Sequence, residues 1–286
     1  FRPRVVIVAF YTGNDPLESF SMVYGNEHWS WLVPDAGLSA SDAPRAAFPA
    51  PEAERWPVTF EDGVSTVFTP TLRLVSNQDH QAVRAGYDIM AGVSEHMSEL
   101  AQKAGIKVVF TIIPTKELVF AAKIKRDGVT APEDYVSLVQ HERQNIDRLA
   151  AAITALPDAA YVDVLTPLQE AVLGTANPYT ASMDGHPAAS GYHIIGETIA
   201  RQISALIPER ASGLYALQNG DSYQMLLVNK EGVWKFASEE AIELNGWPPG
   251  VVRSIELRDI INLQHQGLIT TVDQARFGPA CCEPAE

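Results

Sequence analysis

The sequence predicts an α/β domain built on a parallel sheet, followed by a smaller module. The chain begins with an apolar, β-branched run, "VVIVAFY" at 5–11, of the kind found in strands covered on both faces. Two more such runs, "IKVVFTIIP" (106–114) and "AAYVDVL" (159–165), alternate with segments of helical periodicity. Strand alternating with helix is the pattern of a doubly wound, three-layer α/β/α fold. Beyond "PERASG" (208–213) the grammar changes. Short alternating stretches with turn signals at Asn219-Gly220 and Glu231-Gly232 read as an α+β or β-rich module over 214–286. The domain boundaries expected are therefore 1–208 and 214–286.

The elements between follow in order. Residues 34–57 are rich in Pro, Ala and Ser and read as an excursion, within a loop and hairpin insertion over about 34–75. Asp62-Gly63, between the alternating halves of "VTFEDGVSTVFTP" (58–70), predicts a hairpin. From Asp79 to Ala104, Val83, Tyr87, Met90, Val93, Met97 and Leu100 fall at helical spacing, and Gly105 is a stop. Pro132 to Leu156 reads as a helix opened by one proline and closed before Pro157. Pro187 to Ile207 is the next, and a short helix is expected at Ser238–Asn245. Ligands of such sheets gather at the carboxyl ends of the strands. "TGNDP", "PTKE" and the stretch leading to "DGHP" all stand at such ends.

Bulk composition narrows the function. The 286 residues suit one large domain and an appendage, with 46% apolar and 20% charged residues. No apolar run approaches the ~20 residues of a membrane span, and no leader pattern is visible. Phe1 and Arg2 stand almost against the first strand, where a chain end usually has slack. Upstream sequence, with a targeting or membrane segment, is the expectation. A net charge of −14 with no basic stripe excludes nucleic acid as a partner. The two cysteines, Cys281 and Cys282, are adjacent in a tail expected to be disordered, and give neither a disulfide framework nor zinc spacing. No metal-ligand spacing, phosphate loop or dinucleotide fingerprint is present, so neither a metal nor another cofactor is expected.

Asp184 and His186 are the first candidates for chemistry. A histidine acting as a base needs a carboxylate to hold its tautomer and to stabilise its charged form. Asp-x-His puts both on one loop, so the turn itself sets their geometry. The alternative is a capped helix start with an exposed histidine. Asn14, at the end of the first strand, has an amide able to donate to a developing oxyanion, and Gly13 clears the approach. The alternative there is a simple turn, since Gly-Asn-Asp-Pro is turn vocabulary.

Taken together, "TGND" (12–15) and "DGHPAASGYHIIGETIA" (184–200) resemble the third and last blocks of the SGNH, or GDSL-type, hydrolase superfamily. "FTIIPTKELVF" (110–120) is similar to the strand and loop of bacterial SGNH-like proteins, including relatives of polysaccharide O-acetyl-transfer proteins. The resemblance spans about residues 4–207. It departs from the pattern in having Thr12 where the third block has its first glycine. It implies a flavodoxin-like fold and serine esterase or acyltransferase activity on an acylated substrate, such as a carbohydrate. Asp184 and His186 would be triad partners and Asn14 an oxyanion donor. It also points to a periplasmic or membrane-anchored, extracytoplasmic setting.

The nucleophile block of that family precedes the third block, and only eleven residues precede "TGND". Three readings stand side by side. A separate N-terminal fragment or partner chain completes the fold; or the chain is a non-catalytic accessory or carbohydrate-binding subunit; or the order is permuted and Ser222, in Gly220-Asp221-Ser222, is the nucleophile. The last needs a strand–turn–helix elbow, whereas the segment around Ser222 reads as a hairpin. Lys116 and Glu117 stand at the active edge, to bind a polar substrate or to pair with each other. Trp29, with His28 and Trp31, is a candidate for stacking on a sugar ring, the alternative being packing. His80, His96, His141, His193 and His265 read as ordinary helix-face or module residues.

Overall fold

The computed structural model describes residues 5–44, 55–73, 78–206, 213–219, 222–229, 232–245, 247, 252–255 and 265–270. The cysteine tail and parts of the predicted excursion and turns lie outside these residues. The described chain divides into two compact units, Val5–Leu206 and a second holding the strands from Gly213 onward.

The first unit is mixed α/β around a three-stranded parallel sheet. In chain order it runs β1 (Val5–Tyr11), α1 (Asp15–Gly25), β2 (Trp56–Thr59), β3 (Ser65–Phe68), α2 (Pro70–Arg73), α3 (Gln81–Ala104), β4 (Lys107–Ile113), α4 (Lys116–Arg126), α5 (Glu133–Thr154), β5 (Ala159–Val162), α6 (Leu165–Leu173) and α7 (Ala189–Leu206), with two 3₁₀ turns after α1. The sheet order is β1-β4-β5. β1 and β4 pair in parallel from Val5 opposite Lys107 to Tyr11 opposite Ile113, and Val108 of β4 lies opposite Ala159 of β5. β4 is central and its Val108–Ile112 are all buried. β2 and β3 form the predicted antiparallel hairpin, with Gly63 at φ 83° in the turn.

β1 was expected to be covered on both faces. Among the described residues it is instead an edge strand, and Ile7 is 49% exposed. An apolar strand without a neighbour on one side keeps only part of its burial.

The helices show where periodicity was read correctly and where it slipped. In α3 the His80 side chain accepts from the Ala82 N–H, and Gly105 closes the helix in the left-handed region. Its buried stripe runs Val83, Tyr87, Met90, Ser94, Ser98 and Ala101. Met97 and Leu100, assigned to that stripe by sequence, are exposed. The serines take the inner positions because their hydroxyls are satisfied there. Ser94 donates to the Met90 carbonyl and Ser98 to the Pro157 carbonyl, each at 2.8 Å. Four further helices, α1, α2, α4 and α6, were not anticipated as such. Pro16 sits in the first turn of α1, where its fixed φ suits a helix start, and Thr115 caps α4 by accepting from Leu118. The third strand is also shorter than its apolar run. It ends at Val162, because the Asp163 carboxylate accepts from the Leu165 N–H and starts α6.

The core of this unit joins Val109, Phe110 and Ile112 of β4 to Val83 and Tyr87 of α3, Phe120 of α4 and Leu149 of α5. Lys123 is fully buried, ion-paired with Asp62 of the hairpin turn and lying over the Phe60 ring. No helix of the described residues is long and apolar enough to cross a membrane.

The second unit is a five-stranded mixed sheet of β6 (Gly213–Asn219), β7 (Ser222–Asn229), β8 (Gly232–Phe236), β9 (Arg253–Ile255) and β10 (His265–Ile269), in the order β10-β8-β7-β6-β9. β6, β7 and β8 are antiparallel neighbours, while β9 and β10 add in parallel at the two edges. Helix α8 (Glu239–Leu244) lies within the predicted Ser238–Asn245 and is capped by the Ser238 side chain. Ser222 opens β7 directly opposite Asn219. It is thus a hairpin residue and not the turn of a strand–turn–helix elbow, so the permuted assignment of the nucleophile lacks its structural support.

Candidate functional site

The carboxyl ends of β1 and β4 and the loop before α7 form one cluster. Two side chains beyond the strands clip that loop through its carbonyl oxygens, and one side chain of the loop bonds back. The Tyr11 hydroxyl donates to the Gly185 carbonyl at 2.9 Å. The Lys116 ammonium donates to the Ser182 carbonyl at 2.6 Å, and the Tyr179 hydroxyl of the loop reaches back to the Pro114 carbonyl at 2.9 Å. A bridge between Tyr179 and Pro187, with Ala188 N–H donating to Pro178, closes the loop on itself. The loop is therefore held by hydrogen bonds to its backbone as well as by the two predicted site residues.

Asp184 and His186 stand on this clipped loop. Asp184 Oδ1 lies 2.8 Å from His186 Nδ1 and also accepts the His186 backbone N–H at 3.0 Å. Those two contacts, the backbone one first, hold the Asp184 carboxyl below its ordinary range. Both side chains are more than half exposed. The His186 ring stacks on Tyr11, with centroids 5.0 Å apart. This is the carboxylate–imidazole pairing a general base requires, with Nε2 left without a hydrogen bond among the described residues.

Gly13 has a role the sequence did not reveal. A Cβ there would lie 2.3–2.5 Å from the Tyr11 ring, so only glycine lets that ring fold back toward His186. Asn14 stands at the N-terminus of α1, but its side chain does not cap the helix. Its amide donates to Glu18 Oε1 at 2.7 Å, which uses one of its two N–H groups.

Lys116 and Glu117 do not pair with each other as a salt bridge. Both are fully buried. Glu117 Oε1 accepts the Thr69 N–H at 3.1 Å, and Oε2 lies 3.5 Å from Nε of Arg73. Burial pulls the Lys116 ammonium down to about 8, against the opposing pull of Glu117. Arg73, at the end of α2, was missed. Its guanidinium fills the space beside Gly185, where a Cβ would lie 1.8 Å from Nη2. Trp29 sits in the 3₁₀ turn Glu27–Leu32. Its ring partners are His28 and Trp31, and Trp31 in turn meets His96 of α3.

Glu142 of α5 was also missed. It is fully buried and accepts Thr12 Oγ1 at 2.5 Å, Thr115 N–H at 2.8 Å and Thr115 Oγ1 at 2.6 Å. One carboxylate thus ties the end of β1 to the end of β4. Burial raises it to about 6, despite the hydrogen bonds from Thr115 and Thr12. Thr12, which departs from the glycine of the family pattern, is the residue that reaches it. Gln78 and Asn145 extend the support, with Gln78 donating to the Thr12 carbonyl and Asn145 to that of Gln78.

Two cavities lie apart from the Asp184–His186 pair. One of about 180 Å³ lies beside Gln78, Asn145 and Arg148, and one of about 600 Å³ opens along α1 at Leu17, Glu18 and Met22. Among the described residues no group of three or more His, Cys, Asp or Glu side chains is placed to hold a metal ion. No family model, curated protein or solved structure matches the chain.

Proposed function

We propose that the first unit is the acid–base half of an SGNH-type serine ester hydrolase or acyl (O-acetyl) transferase, on a flavodoxin-like α/β/α arrangement. The observation that carries this reading is the Asp184–His186 pair, held on a clipped loop against Tyr11, only three positions before Asn14. The reaction needs a serine hydroxyl supplied from outside the described residues. His186 takes its proton as the hydroxyl attacks the ester carbonyl, then passes that proton to the leaving alcohol. Asp184 orients the ring and stabilises its charged form. Asn14 donates its remaining amide hydrogen to the oxyanion. The apolar edge of β1, unpaired among the described residues, is where a further parallel strand, bearing that serine, would add to the sheet.

The acyl substrate is an ester such as an acylated carbohydrate, and the chemistry uses neither metal nor organic cofactor. A second reading is a non-catalytic accessory or carbohydrate-binding subunit. It is favoured by the absence of any hydroxyl bonded to His186 Nε2 among the described residues.

The test is to incubate the purified chain with p-nitrophenyl acetate and with a fluorophosphonate probe, alone and with any upstream segment its gene encodes. Turnover and serine labelling that vanish in His186→Ala support the hydrolase. Turnover indifferent to His186→Ala overturns it, and no turnover or labelling in either setting selects the accessory role.

A further inference from the structure

We infer that Arg73, backed by Lys116, forms an anion subsite beside the Asp184–His186 pair, which selects esters carrying a carboxylate near the reacting carbonyl. The inference rests on the reading of that pair as the reacting groups and adds the class of substrate it takes.

The charge balance of the cluster carries the argument. Two cations, Arg73 and Lys116, stand at the end of α2 and the start of α4. The carboxylate acting most strongly on both is that of Glu117, with Glu142 adding to it at Arg73 and Asp184 at Lys116, and Glu117 is only partly used for this. Its Oε1 is committed to the Thr69 N–H, and Oε2 lies 3.5 Å from Arg73 Nε without hydrogen-bond geometry. Arg73 Nε and Nη2 and Glu117 Oε2 are all buried without a hydrogen bond. Lys116 has no salt-bridge partner among the described residues. It is held by the Ser182 carbonyl and lies 6.0 Å from the centre of the Phe68 ring.

Buried cations left with unmet donors are costly, and a site that retains two of them awaits an acceptor. A guanidinium is the side chain best shaped to take a carboxylate. The position fixes what that acceptor belongs to. The guanidinium lies beside Gly185, the residue between Asp184 and His186. The Arg73 side chain keeps 13% of its surface exposed, whereas Lys116 and Glu117 keep none. Arg73 is thus the group a ligand touches, and Lys116 contributes its field from behind.

The experiment compares monomethyl succinate, an ester with a free carboxylate, with the neutral dimethyl ester. Binding to the full chain is followed by calorimetry and by the histidine ring resonances in NMR, with His186→Gln used to assign His186. The expected result is a Kd for the monoester at least ~10-fold below that of the diester, with the His186 signal moving as it binds. Arg73→Gln reduces that preference to less than about 2-fold. Glu117→Gln keeps the acceptor for Thr69 and removes the competing charge, so it tightens monoester binding by about 3-fold or more.

Equal affinity for the two esters, binding of neither, or a preference that survives in folded Arg73→Gln overturns the proposal. So does weaker monoester binding in folded Glu117→Gln, which is what a purely structural ion pair gives. Selective monoester binding without turnover dependent on His186 would keep the subsite and remove the esterase reading. The reverse pattern would do the opposite.

Discussion

Tyr11 and Gly185, 174 positions apart, are joined by a 2.9 Å hydrogen bond from the tyrosine hydroxyl to the glycine carbonyl. The same ring stacks on His186, so one side chain positions both the backbone and the imidazole of the loop before α7. Tyr11→Phe removes the hydrogen bond alone, worth about 1 kcal/mol. Amide exchange at Gly185 and His186 is expected to accelerate about 5-fold. Gly13→Ala is expected to mimic Tyr11→Ala, because the new methyl expels the ring. The double variant is then no worse than either single one. Additive losses of stability and ester turnover would separate the two residues.

Asp184→Asn tests the pair itself. The asparagine can no longer both accept from the ring and stabilise its charged form. Ester turnover is expected to fall on the order of 10²–10⁴-fold with little change in KM. Retention of more than half the activity would remove Asp184 from the chemistry.

Asn14→Ala is a cleaner probe of the oxyanion than most, because Asn14 caps no helix hydrogen bond. Stability is expected to drop by less than about 1 kcal/mol, while turnover falls ~10²-fold. Glu18→Ala releases the amide that Glu18 now holds, and turnover should be unchanged or higher. A loss in Glu18→Ala equal to that in Asn14→Ala would show that the pair acts only to hold α1.

Glu142 gives a pH prediction with a definite sign. Its folded value of about 6 lies above the ordinary 4.5, so the folded state holds this proton more tightly than the unfolded chain. Its stabilising contribution is full below about pH 4.5 and is lost as pH rises through about 6. The loss amounts to about 2 kcal/mol. Glu142→Gln is expected to remove this slope and to match or exceed the parent in stability at pH 8, as read from urea unfolding at several pH values. Glu142→Ala leaves Thr12 and Thr115 without their acceptor, and should cost about 3 kcal/mol. An unchanged slope in Glu142→Gln would assign the pH dependence to another group.

The parts of this chain legible in its sequence are those with local signals. The three β-branched runs, the Asp62-Gly63 hairpin, the Gly105 stop and the Asp184–His186 spacing each announce themselves within a few residues. What escaped depends on distance. Glu142 lies 130 positions from Thr12, and nothing in "VQHERQN" marks that glutamate as buried. Arg73 closes a four-residue helix, and its importance comes from Gly185, more than a hundred positions later. Lys116 and Glu117 are neighbours in sequence, but point to different partners because α4 begins there. The stripe of α3 was read from the apolar residues, whereas the buried face is completed by Ser94 and Ser98, whose inward bonds have no hydropathy signal. The first strand looked doubly covered because hydropathy reports what a segment can bury and not whether a neighbour is present.

That first strand has a colloidal consequence. A seven-residue apolar ribbon with one side unpaired among the described residues is a template for any strand that reaches it. At low ionic strength the net charge of −14 keeps copies of the chain apart. Salt shortens the range of that repulsion to ~10 Å at 0.1 M, and edge-to-edge stacking of copies is then less opposed. Light scattering that rises with salt, and falls again when Ile7, half-exposed on β1, is replaced by lysine, would trace turbidity in concentrated stocks to this strand.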